Sequence, residues 1–167
     1  ETVWLIGGYN DDRLCQLKYC TKVKYLDVGH NNFSDLSFVE NMPDLEVLIL
    51  YKSNVTDLSP LENCPKLEYL EVCVSPVTDI SVLSVCSNLA HLNIGGLIWL
   101  EDISPLFSLK NLERMFAYNS FRIPEEQLAK LQELMPDCEI ATGYQRSVVT
   151  GRWRVVNGLY TERYALL

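Results

Sequence analysis

Two consecutive stretches, LEVLILYKSNVTDLSPLENCPK (residues 45–66) and LEYLEVCVSPVTDISVLSVCSN (residues 67–88), align without a gap over 22 residues. Counted from each opening leucine, apolar side chains fall at places 1, 4, 6, 11, 14, 17 and 20. In the first stretch these are Leu45, Leu48, Leu50, Val55, Leu58, Leu61 and Cys64; in the second, Leu67, Leu70, Val72, Val77, Ile80, Leu83 and Cys86. Neither a period of 3.6 nor one of 2 runs through such spacing. Places 4 and 6 alternate like a short strand with one face inward, and the later steps of three bring the chain back to the same core through helical or irregular turns. A fixed period of this length predicts a solenoid, in which each unit buries its apolar face only against its neighbours.

The register extends in both directions, with units starting near residues 1, 23, 45, 67, 89 and 112. Residues 1–22 place Trp4, Ile6, Leu14, Leu17 and Cys20 at places 4, 6, 14, 17 and 20. Residues 23–44 carry Asn31 at place 9, where later units have Ser53, Ser75 and Leu97. The unit LAHLNIGGLIWLEDISPLFSLKN (residues 89–111) is one residue longer, which predicts a bulge near Ile98, Trp99 and Leu100. Trp99 there either covers the stack from outside or belongs to a contact patch.

This pattern resembles the short leucine-rich repeat of the bacterial internalin-like class, LxxLxLxxNxIxDIxPLxxLxx, over roughly residues 1–140. The resemblance implies an α/β solenoid: a right-handed superhelix with a curved parallel sheet on its concave face, convex turns behind it and a role in holding another macromolecule. It also implies an extracellular or cell-surface location in a bacterium, with a cytoplasmic one as the alternative. In the family the place-9 Asn hydrogen-bonds the adjacent turn. Its decay to serine and leucine predicts looser or locally distorted turns toward the C-terminal half, because a hydroxyl offers fewer donors than an amide and leucine none.

On the convex side Asp35-Leu36-Ser37, Asp57-Leu58-Ser59, Asp79-Ile80-Ser81 and Asp102-Ile103-Ser104 recur in phase, with Pro60 and Pro105 after two of the serines. Serine as N-cap, proline at the first helical place and the pairs Ser37–Glu40 and Ser59–Glu62 as capping boxes predict short helical turns. The repeated aspartates read as turn formers rather than as a catalytic or metal-binding set. After one more strand, Pro124, Glu125 and Glu126 open a helix over about 124–135, with Leu128, Leu131, Leu134 and Met135 at helical spacing, to seal the end of the stack. Cys138 and Ile140 fit a last strand.

The net charge of −8 is unevenly spread. Residues 141–167 form a Gly-, Arg- and aromatic-rich tail carrying Arg146, Arg152, Arg154 and Arg163 against Glu162, so residues 1–140 hold −11. A hairpin of residues 147–150 and 152–156 is expected in the tail, and the charge contrast invites self-docking. An acidic body makes a poor nucleic-acid site. No apolar run reaches the length of a membrane span. The chain opens on Glu1, which suggests that a natural N-terminus lies upstream. Of six cysteines, Cys20, Cys64 and Cys86 share place 20 and read as small core residues, and no CxxC pair argues for zinc. Gly7-Gly8 and Gly95-Gly96 fall where a strand leaves the sheet, and no catalytic or cofactor-binding motif is present.

Strand residues at places 3, 5, 7 and 8 face away from the leucines. They are Tyr25, Asp27 and His30; Val47, Ile49, Tyr51 and Lys52; Tyr69, Glu71 and Val74; His91 and Asn93; Arg114, Phe116 and Tyr118. Tyrosines and aliphatic residues replace the polar side chains usual on a sheet facing water, so an exposed aromatic stripe is expected, and such stripes mark interfaces. The expected function is non-enzymatic binding of a protein or peptide on this face, with no cofactor; the alternative is a structural spacer in a larger surface protein.

Overall fold

The computed structural model describes residues 1–144; the hairpin expected in the tail lies outside them. Seven strands of three residues each are β1 (Thr2–Trp4), β2 (Tyr25–Asp27), β3 (Val47–Ile49), β4 (Tyr69–Glu71), β5 (His91–Asn93), β6 (Arg114–Phe116) and β7 (Glu139–Ala141). They form one sheet in chain order, every neighbouring pair parallel. Leu26, Leu48, Leu70, Leu92, Met115 and Ile140 stand in one row across it. The chain is a leucine-rich repeat solenoid. Leu45, Val55, Leu58, Leu61 and their equivalents complete one continuous core running the length of the stack.

The first five crossovers return through a 3-10 helix, Cys15–Tyr19, Ser37–Asn41, Ser59–Asn63, Ser81–Val85 and Ser104–Ser108, and the sixth, from β6 to β7, through an α-helix. The first is preceded by α1 (Asp11–Leu14). The serines open these turns, but they do not cap them. Each aspartate two places earlier accepts the serine N–H: Asp35 from Ser37 (2.8 Å), Asp57 from Ser59 (2.8 Å), Asp79 from Ser81 (2.7 Å) and Asp102 from Ser104 (2.8 Å). The expected capping boxes give way to aspartate turns, because a turn of five residues leaves the orphan N–H nearest the aspartate. At Asp57 and Asp102 the serine backbone N–H, then its side chain, holds the carboxyl below the usual carboxylate range.

The first unit departs from the expected register. β1 aligns Val3, not Trp4, with Leu26, so Val3 and Leu5 pack on the core while Trp4 and Ile6 are exposed. A one-residue slip reverses every side chain of a strand. Register is regained by Asn10, which bridges Asn32, through an extra residue in the turn where Gly7 and Gly8 both have positive φ (78° and 82°).

Toward the C-terminal half the place-9 side-chain bonds thin out, Ser53 Oγ being buried without a hydrogen-bond partner among the described residues, but the backbone ladder does not. Asn31 donates to Leu5 O and to Val28 O (3.0 Å) and accepts from Tyr9 N–H (3.0 Å). Downstream, Ser75 Oγ donates to Val72 O (2.7 Å) and Ser120 Oγ to Ile94 O (2.8 Å), while Leu97 is wholly buried in the core. The backbone ladder persists throughout, from His30 N–H to Tyr51 O (2.7 Å) to Gly96 N–H to Tyr118 O (2.7 Å). These inter-repeat bonds do not depend on the place-9 side chain.

The longer unit bulges between Leu97 and Leu100, both buried, leaving Ile98 and Trp99 outside. Trp99 is about half exposed, and the Arg122 guanidinium, itself paired with Glu101, stacks 4.4 Å from its ring centroid. Helix α2 (Glu125–Leu134) follows Pro124, which stands just outside it as the cap. It buries Leu131 against the Ser104–Ser108 turn, whereas Leu134, expected on the inner face, is exposed.

Candidate functional site: the concave sheet face

Because side chains alternate along each strand, the middle residue of every triplet enters the leucine core and the outer two face the other side. That second face has an apolar cluster of its own, Tyr25, Val47, Ile49 and Tyr69, with Tyr51 at its edge. Register sets its neighbours: Tyr69 lies beside Val47 and His91, and Ile49 beside Asp27 and Glu71. The row ends at Arg114, Phe116 and Tyr118, where the Phe116 and Tyr118 rings lie 6.5 Å apart.

The expected open stripe is not what this face presents. Tyr25, Asp27, Val47, Ile49, Tyr69, Glu71, His91, Asn93 and Phe116 are all buried, Val47, Ile49 and Tyr69 to 1% exposure. Tyr51, Arg114 and Tyr118 are half-buried, and only His30, Lys52 and Val74 are exposed. Those last three share place 8 and a left-handed backbone, with φ of 59°, 56° and 56°. They form a rim where the strands leave the sheet. On that rim the His30 ring meets Tyr51 edge-on at 4.7 Å, and Lys52 Nζ lies 5.3 Å from the Tyr51 centroid.

Polar groups on the face are organised by short bonds. Tyr69 donates its hydroxyl to Glu71 Oε2 (2.8 Å), and the Cys73 thiol approaches Glu71 Oε1 (3.5 Å). Asp27 and Asn93 each accept the N–H two residues on, from Gly29 and Gly95, both at 3.0 Å. A Cβ on either glycine would come within 3.2 Å of that side-chain oxygen, which explains glycine at place 7 there. Burial holds His91 below the usual imidazole range, opposed by the Glu113 carboxylate 4.0 Å from its Nε2. Arg114 pairs with Glu139 on β7 (2.7 Å).

Two contributors escaped the sequence reading. Trp4 turns onto this side and meets the Tyr25 ring edge-on at 6.2 Å. The alternation of Val3 and Leu5, both apolar, was the signal for it. At the other end Tyr144 packs edge-on against Tyr118 at 5.6 Å. A recess of about 960 Å³ lies elsewhere, on the flank near the end of α2, and includes Glu68, Phe107, Leu112, Leu134 and Cys138 but none of the concave residues named above. Among the described residues no group of three or more His, Cys, Asp or Glu side chains is placed to hold a metal ion, and no helix is long and apolar enough to cross a membrane. No disulfide joins any of the six cysteines.

A family model described as leucine-rich repeats in two copies matches residues 21–63. Among solved structures the chain is similar to an internalin C2 of Listeria monocytogenes, with 26% identity over 76% of this chain and 54% of that one and a TM-score of 0.69. It is also similar to an internalin, inlF, of the same species, at 24% identity, 80% and 45% coverage and a TM-score of 0.66. A leucine-rich repeat protein of Leptospira interrogans shares the fold at 23% identity, 75% and 33% coverage and a TM-score of 0.62. The chain thus spans about half or less of the length of these proteins. No curated protein matches it.

Proposed function

Because the chain is an internalin-like leucine-rich repeat solenoid, we propose that it is a recognition module without catalytic activity, holding a protein or peptide along its concave face. The observation that carries this reading is the second apolar cluster, Tyr25, Val47, Ile49 and Tyr69, on the sheet face opposite the leucine core. An unneeded face of a sheet is ordinarily polar; this one combines aromatic anchors with the carboxylates Asp27 and Glu71 and a cationic rim at Lys52. Tyrosine and its neighbours dominate interface energies, and charges around them set orientation more than affinity. The likeness to two bacterial internalins supports a surface or extracellular setting.

A random-peptide display library panned on the immobilised full chain tests the reading. Enriched peptides should bind the Tyr51→Ala variant more weakly by about 30-fold, as the loss of an anchor worth about 2 kcal/mol requires. Glu126→Ala on the convex helix should leave them unchanged. Peptides that ignore Tyr51, or no enrichment at all, would leave the spacer role as the better account.

A further inference from the structure

The concave side chains that a partner can reach stand on the rim, where the strands leave the sheet. The acidic groups of the face are turned inward and already engaged: Asp27 accepts the Gly29 N–H and Glu71 the Tyr69 hydroxyl, and both are buried. Lys52, the one lysine or arginine on the rim, has no carboxylate partner among the described residues, whereas Lys24, Lys66, Arg114, Arg122 and Lys130 each pair with one. The Tyr51 ring meets both Lys52 Nζ and the His30 ring, so the ammonium and the imidazole are held at one place before any ligand arrives.

The rim runs in single file. His30 N–H donates to Tyr51 O, Lys52 N–H to Cys73 O, Val74 N–H to Gly95 O and Gly96 N–H to Tyr118 O. His30, Lys52, Val74 and Gly96 therefore follow one another at about one strand spacing, about 4.8 Å. Val74 holds its left-handed backbone (φ 56°) with its side chain about half exposed, so burial offsets little of the strain. Strain retained at an exposed residue marks a place where the side chain is used. Its Cγ2 lies against the bare backbone of Gly96, which leaves an apolar step beside the cation.

We propose, on the basis of the concave-face binding argued above, that this rim selects an acidic, extended peptide segment. One carboxylate side chain accepts from Lys52 and His30, and an apolar side chain follows at Val74. An extended chain rises about 3.3 Å per residue, so the apolar residue stands one or two places from the acidic one. A basic segment would instead bring like charge onto Lys52.

Random-peptide libraries panned in parallel on the immobilised full chain and on its Lys52→Glu variant, with folding checked by circular dichroism, test this. Peptides selected by the wild type should carry Asp or Glu with an apolar residue one or two places away and should bind Lys52→Glu at least about tenfold more weakly; the variant should select basic peptides. Enriched peptides without an acidic residue, or equally tight on both proteins, overturn the acidic specificity and leave concave-face binding standing, whereas no enrichment on either protein overturns both. Val74→Asn separates recognition from packing. It relieves the strain and should raise Tm, yet weaken the selected peptides by about fivefold; binding as tight as wild type removes the apolar step from the site.

Discussion

At the scale of single residues, the recurring left-handed position at place 8 is the most informative. Gly8 and Gly96 occupy it without cost, but His30, Lys52, Val74 and Asn119 do so with side chains. Valine is the worst suited, because its two γ carbons crowd the carbonyl in that region, and Val74 recovers little by burial since it is about half exposed. Replacing it by asparagine, which tolerates the conformation, should stabilise the fold by about 1 kcal/mol, seen as a rise in Tm of about 2–4 °C. Gly96 is constrained in turn, since a Cβ there would meet Val74 Cγ2 at 3.2 Å. The buried thiols make a second residue-scale point: burial pushes Cys64 up to about 12 and Cys86 and Cys138 to about 11, so they remain protonated and unreactive at neutral pH. Exposed Cys20 is the thiol that a labelling reagent should find first.

At the scale of elements, the four 3-10 turns that open at Ser37, Ser59, Ser81 and Ser104 are each held by one aspartate. Asp57 and Asp102 titrate below their ordinary value because serine donors favour the charged form. The folded chain therefore binds fewer protons than the unfolded one near those values. The stabilisation is complete above the ordinary carboxylate value of 3.8 and is lost as pH falls through the lower folded-state value. Asn at both positions keeps an acceptor but cannot ionise. The Asp57→Asn/Asp102→Asn double variant should lose less stability than wild type between pH 5 and about pH 3, measured by urea unfolding at each pH. An equal acid loss in both proteins would remove the aspartates from the account. The strands teach a different lesson. The 22-residue count was legible in residues 23–88, but β1 slipped by one because two glycines admit an extra residue in its turn. Counting from the N-terminus cannot see an insertion that positive-φ residues absorb. The capping-box reading failed for a related reason: sequence spacing suits both a serine and an aspartate cap, and only the turn's dimensions choose between them.

At the scale of the whole molecule, the core is one continuous row with a helix at its C-terminal end. Leu131 is wholly buried where α2 meets the last convex turn. Leu131→Ala should cost about 2–5 kcal/mol, and because repeats are stabilised by their neighbours the loss should propagate through the stack. Circular dichroism and tryptophan fluorescence, which samples Trp4, Trp99 and Trp153 together, should report one shifted urea transition; a core indifferent to this end would leave the midpoint unchanged. The repeat period, the row of inward leucines, the convex turns and the terminal helix were all determined by the amino-acid sequence alone, since each follows from local spacing that any stacked repeat must satisfy. Tertiary structure alone decided the register of β1, the exposure of Trp4 and Leu134, and the deep burial of the concave tyrosines. Those depend on how neighbouring repeats and terminal elements pack in three dimensions, and no local pattern of side chains encodes that.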